Sequence, residues 1–281
     1  MEPLRTVMFI DGRNFKYNLD AFRFVGDQDR YYALNETHFN WQPFFEGIIR
    51  KCNGATGWEH RLVRVYWYNA ATIRPFSINE TLIRAIIDKY QGRFPELDRN
   101  KVIELAKSWY DNERHYFDNA REEVYERIQR KTAFLEFRYT GEYVVKPFDV
   151  YHFEKNANGT YFYQGIRKGE KGVDVGIAVD MIAKMPNYDV AILVSGDADF
   201  LPLLCHVKDS LKSVYQFSIA QGIPPNIKYL SPWLIGVADV FQYFDEIELL
   251  ETYFIRNSVP PAILAAIDSR IEELKKSRST K

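Results

Sequence analysis

Five aspartates lie near two apolar runs, four of them where a run ends or a helix begins. In the stretch Lys171 to Leu204, KGVDVGIAVDMIAKMPNYDVAILVSGDADFLPLL, Asp174 and Asp180 come before the run Val190 to Val194, and Asp197 and Asp199 come directly after it. Asp11 closes a second such run, Thr6 to Ile10, near the N-terminus. Carboxylates gathered on one rim suit Mg²⁺ or Mn²⁺. These hard cations take few carboxylate ligands, keep several waters and draw their remaining oxygens from a substrate phosphate.

Each aspartate also has a plainer reading. Asp174 precedes a segment with Val175, Ile177, Ala178, Met181, Ile182 and Met185 at near-helical spacing, where an N-cap belongs. Capping alone stabilises a helix by roughly 1 kcal/mol. Asp199 has the same ambiguity ahead of the segment Phe200 to Leu211, and Asp11-Gly12 reads as an ordinary turn. Capping and metal binding are compatible, because a cap at the carboxyl edge of a sheet already faces the rim where ligands collect. Asp180 lies six residues beyond Asp174. At about 100° per residue it points to another side of the helix, so geometry ranks it below the others.

The elements that must hold these side chains follow from the apolar pattern. Val190 to Val194 and Thr6 to Ile10 are short, uncharged and β-branched, as strands buried on both faces of a parallel sheet are. Trp41 to Cys52 has helical spacing, and Arg61 to Asn69 reads as the next strand, so strand, helix and strand form a right-handed parallel crossover. Ser213 to Ile219 repeats that unit after a helix from about Asp199 to Leu211, and Leu234 to Phe244 suits an edge strand. Between the sheet strands, residues 78–132 carry helical periodicity with charges of both signs, a helical arm with a solvated face. Phe134 to Val145 and Asp149 to Ile166 read as strands with a hairpin tip at Asn156 to Gly159, and Pro261 to Lys276 as an amphipathic C-terminal helix.

Composition excludes several classes. The 281 residues are 46% hydrophobic and 16% aromatic, enough for a sizeable core. Lys and Arg number 37 against 38 Asp and Glu, so any nucleic-acid site must be local rather than a global basic field. Cys52 and Cys205 lack metal-ligand or CxxC spacing, which fits two reduced thiols. No apolar run has membrane-spanning length and the N-terminus is not a signal peptide, so the expected location is cytoplasmic and not membrane-spanning.

Three separated motifs carry a family resemblance: FIDGRN at Phe9 to Asn14, KGVDVGIAVDM at Lys171 to Met181, and LVSGDADFLPLL at Leu193 to Leu204. In this order they resemble the NYN domain, the LabA-like branch of the PIN-domain nuclease superfamily, over about residues 5–75 and 134–245. The resemblance implies an α/β, Rossmann-like PIN/NYN fold, a mostly parallel central sheet flanked by helices; it leaves out the helical arm at about 78–132, read as an insertion, and the C-terminal helix. Residues 1–245 would form this nuclease domain and 246–281 a C-terminal helical extension. It further implies an acidic pocket that binds Mg²⁺ or Mn²⁺ and hydrolyses RNA, single-stranded or structured. Asp11, Asp174, Asp197 and Asp199 match the family's acidic positions, Asn14 the asparagine after the first, and Ser195 the hydroxyl residue before Gly-Asp. Asp180 also falls on a family acidic position, which restores it as a supporting residue. Arg13, Lys16, Arg167, Lys168 and Lys171 would then offset the phosphate backbone, and the helical arm would be the place for a protein partner or a homo-oligomer contact.

Other readings are weaker. A non-catalytic module on the same fold, binding RNA or a protein, would be expected to have lost a pocket carboxylate, and none is missing. A phosphohydrolase of the haloacid dehalogenase type needs a second Asp two residues after the first, where this chain has Arg13. No GxxxxGK(S/T) phosphate loop is present.

Overall fold

The first apolar run forms β1 (Leu4–Asp11), and the chain turns at once into α1 (Gly12–Leu19). A small antiparallel pair follows, β2 (Arg23–Val25) and β3 (Tyr31–Ala33), then α2 (Trp41–Thr56) and β4 (His60–Asn69). β5 (Thr72–Ile73) leads to α3 (Glu80–Tyr90), α4 (Arg99–Asn119) and α5 (Glu126–Lys131), the last two joined by a π-helical turn at Ala120–Tyr125. Next come β6 (Leu135–Tyr139), β7 (Glu142–Lys155), β8 (Tyr161–Lys171), α6 (Val173–Ala183) and β9 (Val190–Val194). The chain continues through α7 (Leu201–Asp209), β10 (Ser213–Ile219), α8 (Pro232–Val237), β11 (Val240–Phe244), the short α9 (Glu246–Glu248) and α10 (Pro261–Ser279). The structure is a computed structural model and describes residues 2–25 and 31–279.

A six-stranded central sheet has the order β11-β10-β9-β1-β4-β6. β1 is flanked by parallel partners on both sides, β4 and β9, and β9–β10 and β10–β11 are parallel as well. This accounts for the unbroken apolar runs: all five residues of β9 are buried, and so are Val7 to Asp11 of β1. A strand with a helix layer on each face has no polar face to alternate with. The register Ile10↔Val194 sets the ends of β1 and β9 level, so Asp11 and Ser195 leave the sheet side by side.

Two compact units divide the chain. The first comprises Met1–Asn69, Arg127–Arg138 and Asp174–Lys281, and contains the central sheet. Its core is rich in rings, with Trp41 and Trp67 centroids 4.9 Å apart and Phe44 and Phe244 5.0 Å apart. α10 belongs to it too: Ile263, Ile267, Ile271 and Leu274 are buried at helical spacing. Basic residues near its C-terminal end are ion-paired, Lys275 with Glu251 at 2.6 Å and Arg278 with Asp245 at 2.7 Å.

α5 beyond Glu126 falls in the first unit; the second, Ala70–Glu126 and Tyr139–Val173, holds α3 and α4, most of the expected arm. Those helices share a core with a three-stranded sheet of order β5-β7-β8, built from Ile83, Ile86, Val102, Trp109, Phe148 and Phe153 among others. The hairpin with its tip at Asn156 to Gly159 thus belongs to the sheet of this unit and not to the central one. The single strand expected over Phe134 to Val145 breaks at Gly141, whose φ of 68° lies in the left-handed region that glycine enters without a Cβ penalty. The arm's mixed charges form helical surface pairs, including Lys107–Asp111 at 2.6 Å.

Candidate functional site

Asp11 ends β1 and caps α1, its Oδ1 accepting from the Asn14 backbone N–H at 3.0 Å. Its other oxygen, Oδ2, accepts from the Ser195 hydroxyl at 2.8 Å. Asn14 returns the connection, its Oδ1 accepting from the Gly196 N–H at 2.9 Å. Asp11, Asn14, Ser195 and Gly196 therefore form one network joining the ends of the two central strands. Asn18 holds the Asn14 side chain from the next turn, its Nδ2 3.2 Å from Asn14 Oδ1. Gln216 of β10 donates its amide to the Ser195 carbonyl.

Two glycines make this packing feasible. A Cβ at Gly12 would lie 2.4 Å from the Tyr68 carbonyl oxygen, and one at Gly196 would lie 1.6 Å from that of Tyr229. Any side chain at either position would push the strand exits apart. Asn18, Gln216 and these close approaches were not singled out from the sequence. The glycines were visible only as turn residues, and nothing local marks a side chain whose partner is far along the chain.

After Gly196 the chain enters a 3₁₀ turn at Ala198–Phe200, capped by Asp197, whose Oδ1 accepts from the Asp199 N–H at 3.0 Å. The cap is thus Asp197 rather than Asp199. Asp199 is left exposed, with its side chain free of the capping duty expected of it. Asp174 differs from expectation in the same way: α6 starts at Val173, which puts Asp174 inside the first turn rather than at the cap. Its carboxylate is exposed at a helix N-terminus, where the backbone dipole favours negative charge.

The electrostatics show which carboxylates meet. Asp174 is pushed up to about 6, first by desolvation and then by the charges of Asp11, Asp197 and Asp199, with Arg13 pulling the other way. Asp11 is raised chiefly by burial and further by Asp197, against the lowering effect of its hydrogen bonds from Asn14, Ser195 and Arg13. Four carboxylates from three separate chain segments therefore share one field, and Arg13 is the cation that answers it. Asp180 stands outside this group. It accepts from Tyr68 Oη at 2.7 Å, pairs with Lys184 at 2.6 Å and is lowered by those partners against its own desolvation.

The other sequence candidates are distributed unevenly. Lys16 lies 3.7 Å from the buried Glu36. Arg167, Lys168 and Lys171 lie on β8 in the second unit. Arg167 is held there by Glu113 through contacts of 2.7 and 2.6 Å, so its charge is already balanced, while Lys168 and Lys171 are exposed.

The donor set fits a hard divalent cation. It offers carboxylate and amide oxygens, with no thiolate or imidazole, and an accumulation of negative charge that a cation would relieve. Among the described residues no three His, Cys, Asp or Glu side chains are already drawn together as a metal-ligand group. An ion that keeps several of its waters and takes one or two carboxylates does not require such a cage. Asp11, Asp174, Asp197 and Asp199 are the residues from which those one or two ligands would come.

A model of the NYN domain matches residues 89–244, more than half of the chain. The match contains Asp174, Asp180, Asp197 and Asp199 and begins after β1 and Asp11. It includes most of the helical arm, which the three motifs alone had left outside the resemblance. No curated protein matches the chain. Among solved structures, the chain is similar to a protein of unknown function from Vibrio parahaemolyticus, at 18% identity over 87% of this chain and 97% of that one, with a TM-score of 0.39. Among the described residues no helix is long and apolar enough to cross a membrane.

Proposed function

The chain belongs to the NYN domain family, within the PIN-like nuclease superfamily, and from that premise we propose that it is a metal-dependent endoribonuclease that hydrolyses RNA phosphodiester bonds at the carboxyl edge of its central sheet. The observation that carries the reading is the raised Asp174, pushed up first by desolvation and then by the charges of Asp11, Asp197 and Asp199 arriving from other segments. Structural carboxylates are paired, as Asp180 is; an arrangement that sets four against one another is costly to a fold unless function needs it.

When bound, Mg²⁺ or Mn²⁺ lowers the pKa of a coordinated water and neutralises charge on the phosphate and leaving oxygen. The chain's own residues do the rest. The Ser195 hydroxyl and the Asn14 N–H fix both oxygens of Asp11, so that carboxylate needs little reorganisation when a cation arrives. Asn14, held by Gly196 and Asn18, ties the two strand ends together without adding charge. Arg13, whose charge reaches Asp174, is placed to meet a phosphate oxygen.

The test is cleavage of a labelled RNA with Mn²⁺ by the purified full chain and its Asp197→Asn variant. Cleavage should fall by about a hundredfold or more in the variant, with the fold intact by circular dichroism. Equal cleavage by both proteins would remove Asp197 from the site. Tight metal binding with no turnover on any RNA would indicate a regulatory module instead.

A further inference from the structure

Beside the carboxylates lies a pair of exposed rings that the reading above does not use. Tyr17 follows Asn14 by one helical turn on α1 and is 43% exposed. Tyr229 is 61% exposed. Their ring centroids are 6.0 Å apart at an interplanar angle of 47°. Arg13 completes the group, its Nε donating to Tyr17 Oη at 2.8 Å and its guanidinium carbon lying 5.1 Å from the Tyr17 ring centre.

The location of Tyr229 is fixed by the turn that presents Asp197. The Gly196 carbonyl accepts from the Ser231 N–H at 2.9 Å, and the Tyr229 carbonyl lies against the bare Cα of Gly196. Tyr229 itself has a φ of 56°, a left-handed conformation that is unfavourable for a non-glycine residue. A fold that holds an aromatic residue in this conformation, with its ring exposed against a second ring, has built a surface rather than a core.

We propose that Tyr17 and Tyr229, with Arg13, form a stacking platform for an unpaired nucleobase of a single-stranded RNA whose backbone runs over the neighbouring carboxylates. This rests on the nuclease reading and adds the substrate class to it. Aromatic faces accept any base with little regard to sequence, and an adjacent guanidinium adds cation–π attraction and a phosphate contact. Only an unpaired base can present its face to a ring; in a duplex the faces are stacked inside the helix. The platform therefore selects single strands over duplex, without a basic groove that the chain's near-zero net charge does not supply.

Fluorescence anisotropy of a labelled single-stranded RNA octamer, with EDTA present so that binding is read apart from cleavage, tests this. Tyr17→Ala and Tyr229→Ala should each weaken binding by roughly tenfold, while Tyr229→Phe retains it within about twofold, since stacking needs the ring and not the hydroxyl. An octamer with one abasic site at the stacked position should lose as much on the wild-type chain, and the Ala variants should then add nothing. A blunt RNA duplex should bind weakly and respond to none of the substitutions. Unchanged affinity in the Ala variants, or an equal loss in Tyr229→Phe, would overturn the platform. Cleavage by the wild-type chain with unchanged binding in the Ala variants rejects the platform and keeps the nuclease. Ring-dependent binding of single strands by a chain that never cuts RNA keeps the platform and rejects the nuclease.

Discussion

Asp174 and Asp180 occupy one helix, six residues apart, in opposite electrostatic settings. Asp174, in the first turn, faces three other carboxylates and is pushed up to about 6. Asp180 is satisfied by the Tyr68 hydroxyl and the Lys184 ammonium and is lowered. Both fall on acidic positions in the family resemblance, so residue type does not separate them. What separates them is whether the fold has already balanced the charge. An unbalanced carboxylate is available to a cation; a balanced one holds its helix against β4.

The largest effect that would break this comparison is on cleavage. Asp174→Asn should lower Mn²⁺-dependent RNA cleavage by about a hundredfold or more, and Asp180→Asn should leave it within about threefold, measured as initial rates on one labelled RNA. Equal losses would place both residues in the site. On stability the order reverses. Asp180→Ala strands the Tyr68 hydroxyl and Lys184, and should cost about 2 kcal/mol, seen as a Tm several degrees lower by calorimetry. Because Asp180 is lowered in the fold, its contribution is present above the ordinary carboxylate range and fades as pH falls through it, so the Tm difference should shrink toward pH 3.

Asp174→Asn should do the opposite in EDTA. A carboxylate raised by desolvation and by its neighbours destabilises the fold when ionised, and solvent screening at this exposed position limits the penalty to less than about 1 kcal/mol. The variant should gain about 1–3 °C in Tm at neutral pH. The gain should be full above about 6 and vanish below about 4, where the wild-type carboxylate is protonated folded and unfolded alike. The smallest expected effect is on metal affinity. Protons compete for the same oxygens, so the Mn²⁺ midpoint in a thermal-shift titration should rise as pH falls below about 6.

Much of this was legible from the chain. The runs at Thr6 to Ile10 and Val190 to Val194 are buried on both faces, and their lack of alternation marked them as central parallel strands with Asp11 and Asp197 at their exits. The caps were less legible. Asp197 and Asp199 are equally good capping residues, so which one caps a helix depends on where the helix starts, and a shift of one or two residues moved the duty from Asp199 to Asp197. The destination of the hairpin could not be read at all. The strands β7 and β8 have the same pattern whether they join the central sheet or pack on α3 and α4, and only the long-range core of Trp109, Phe148 and Phe153 decides it. Tyr17 and Tyr229 are separated by most of the chain, and no local pattern announces that their rings meet.

The most direct test of the account is to incubate the full chain with total RNA and Mn²⁺ and to sequence the new ends, with Asp11→Ala as the control. The account expects internal cuts that require both Mn²⁺ and Asp11, concentrated in unpaired segments. Ends that persist unchanged in the Asp11→Ala protein, or no new ends at all, would contradict it.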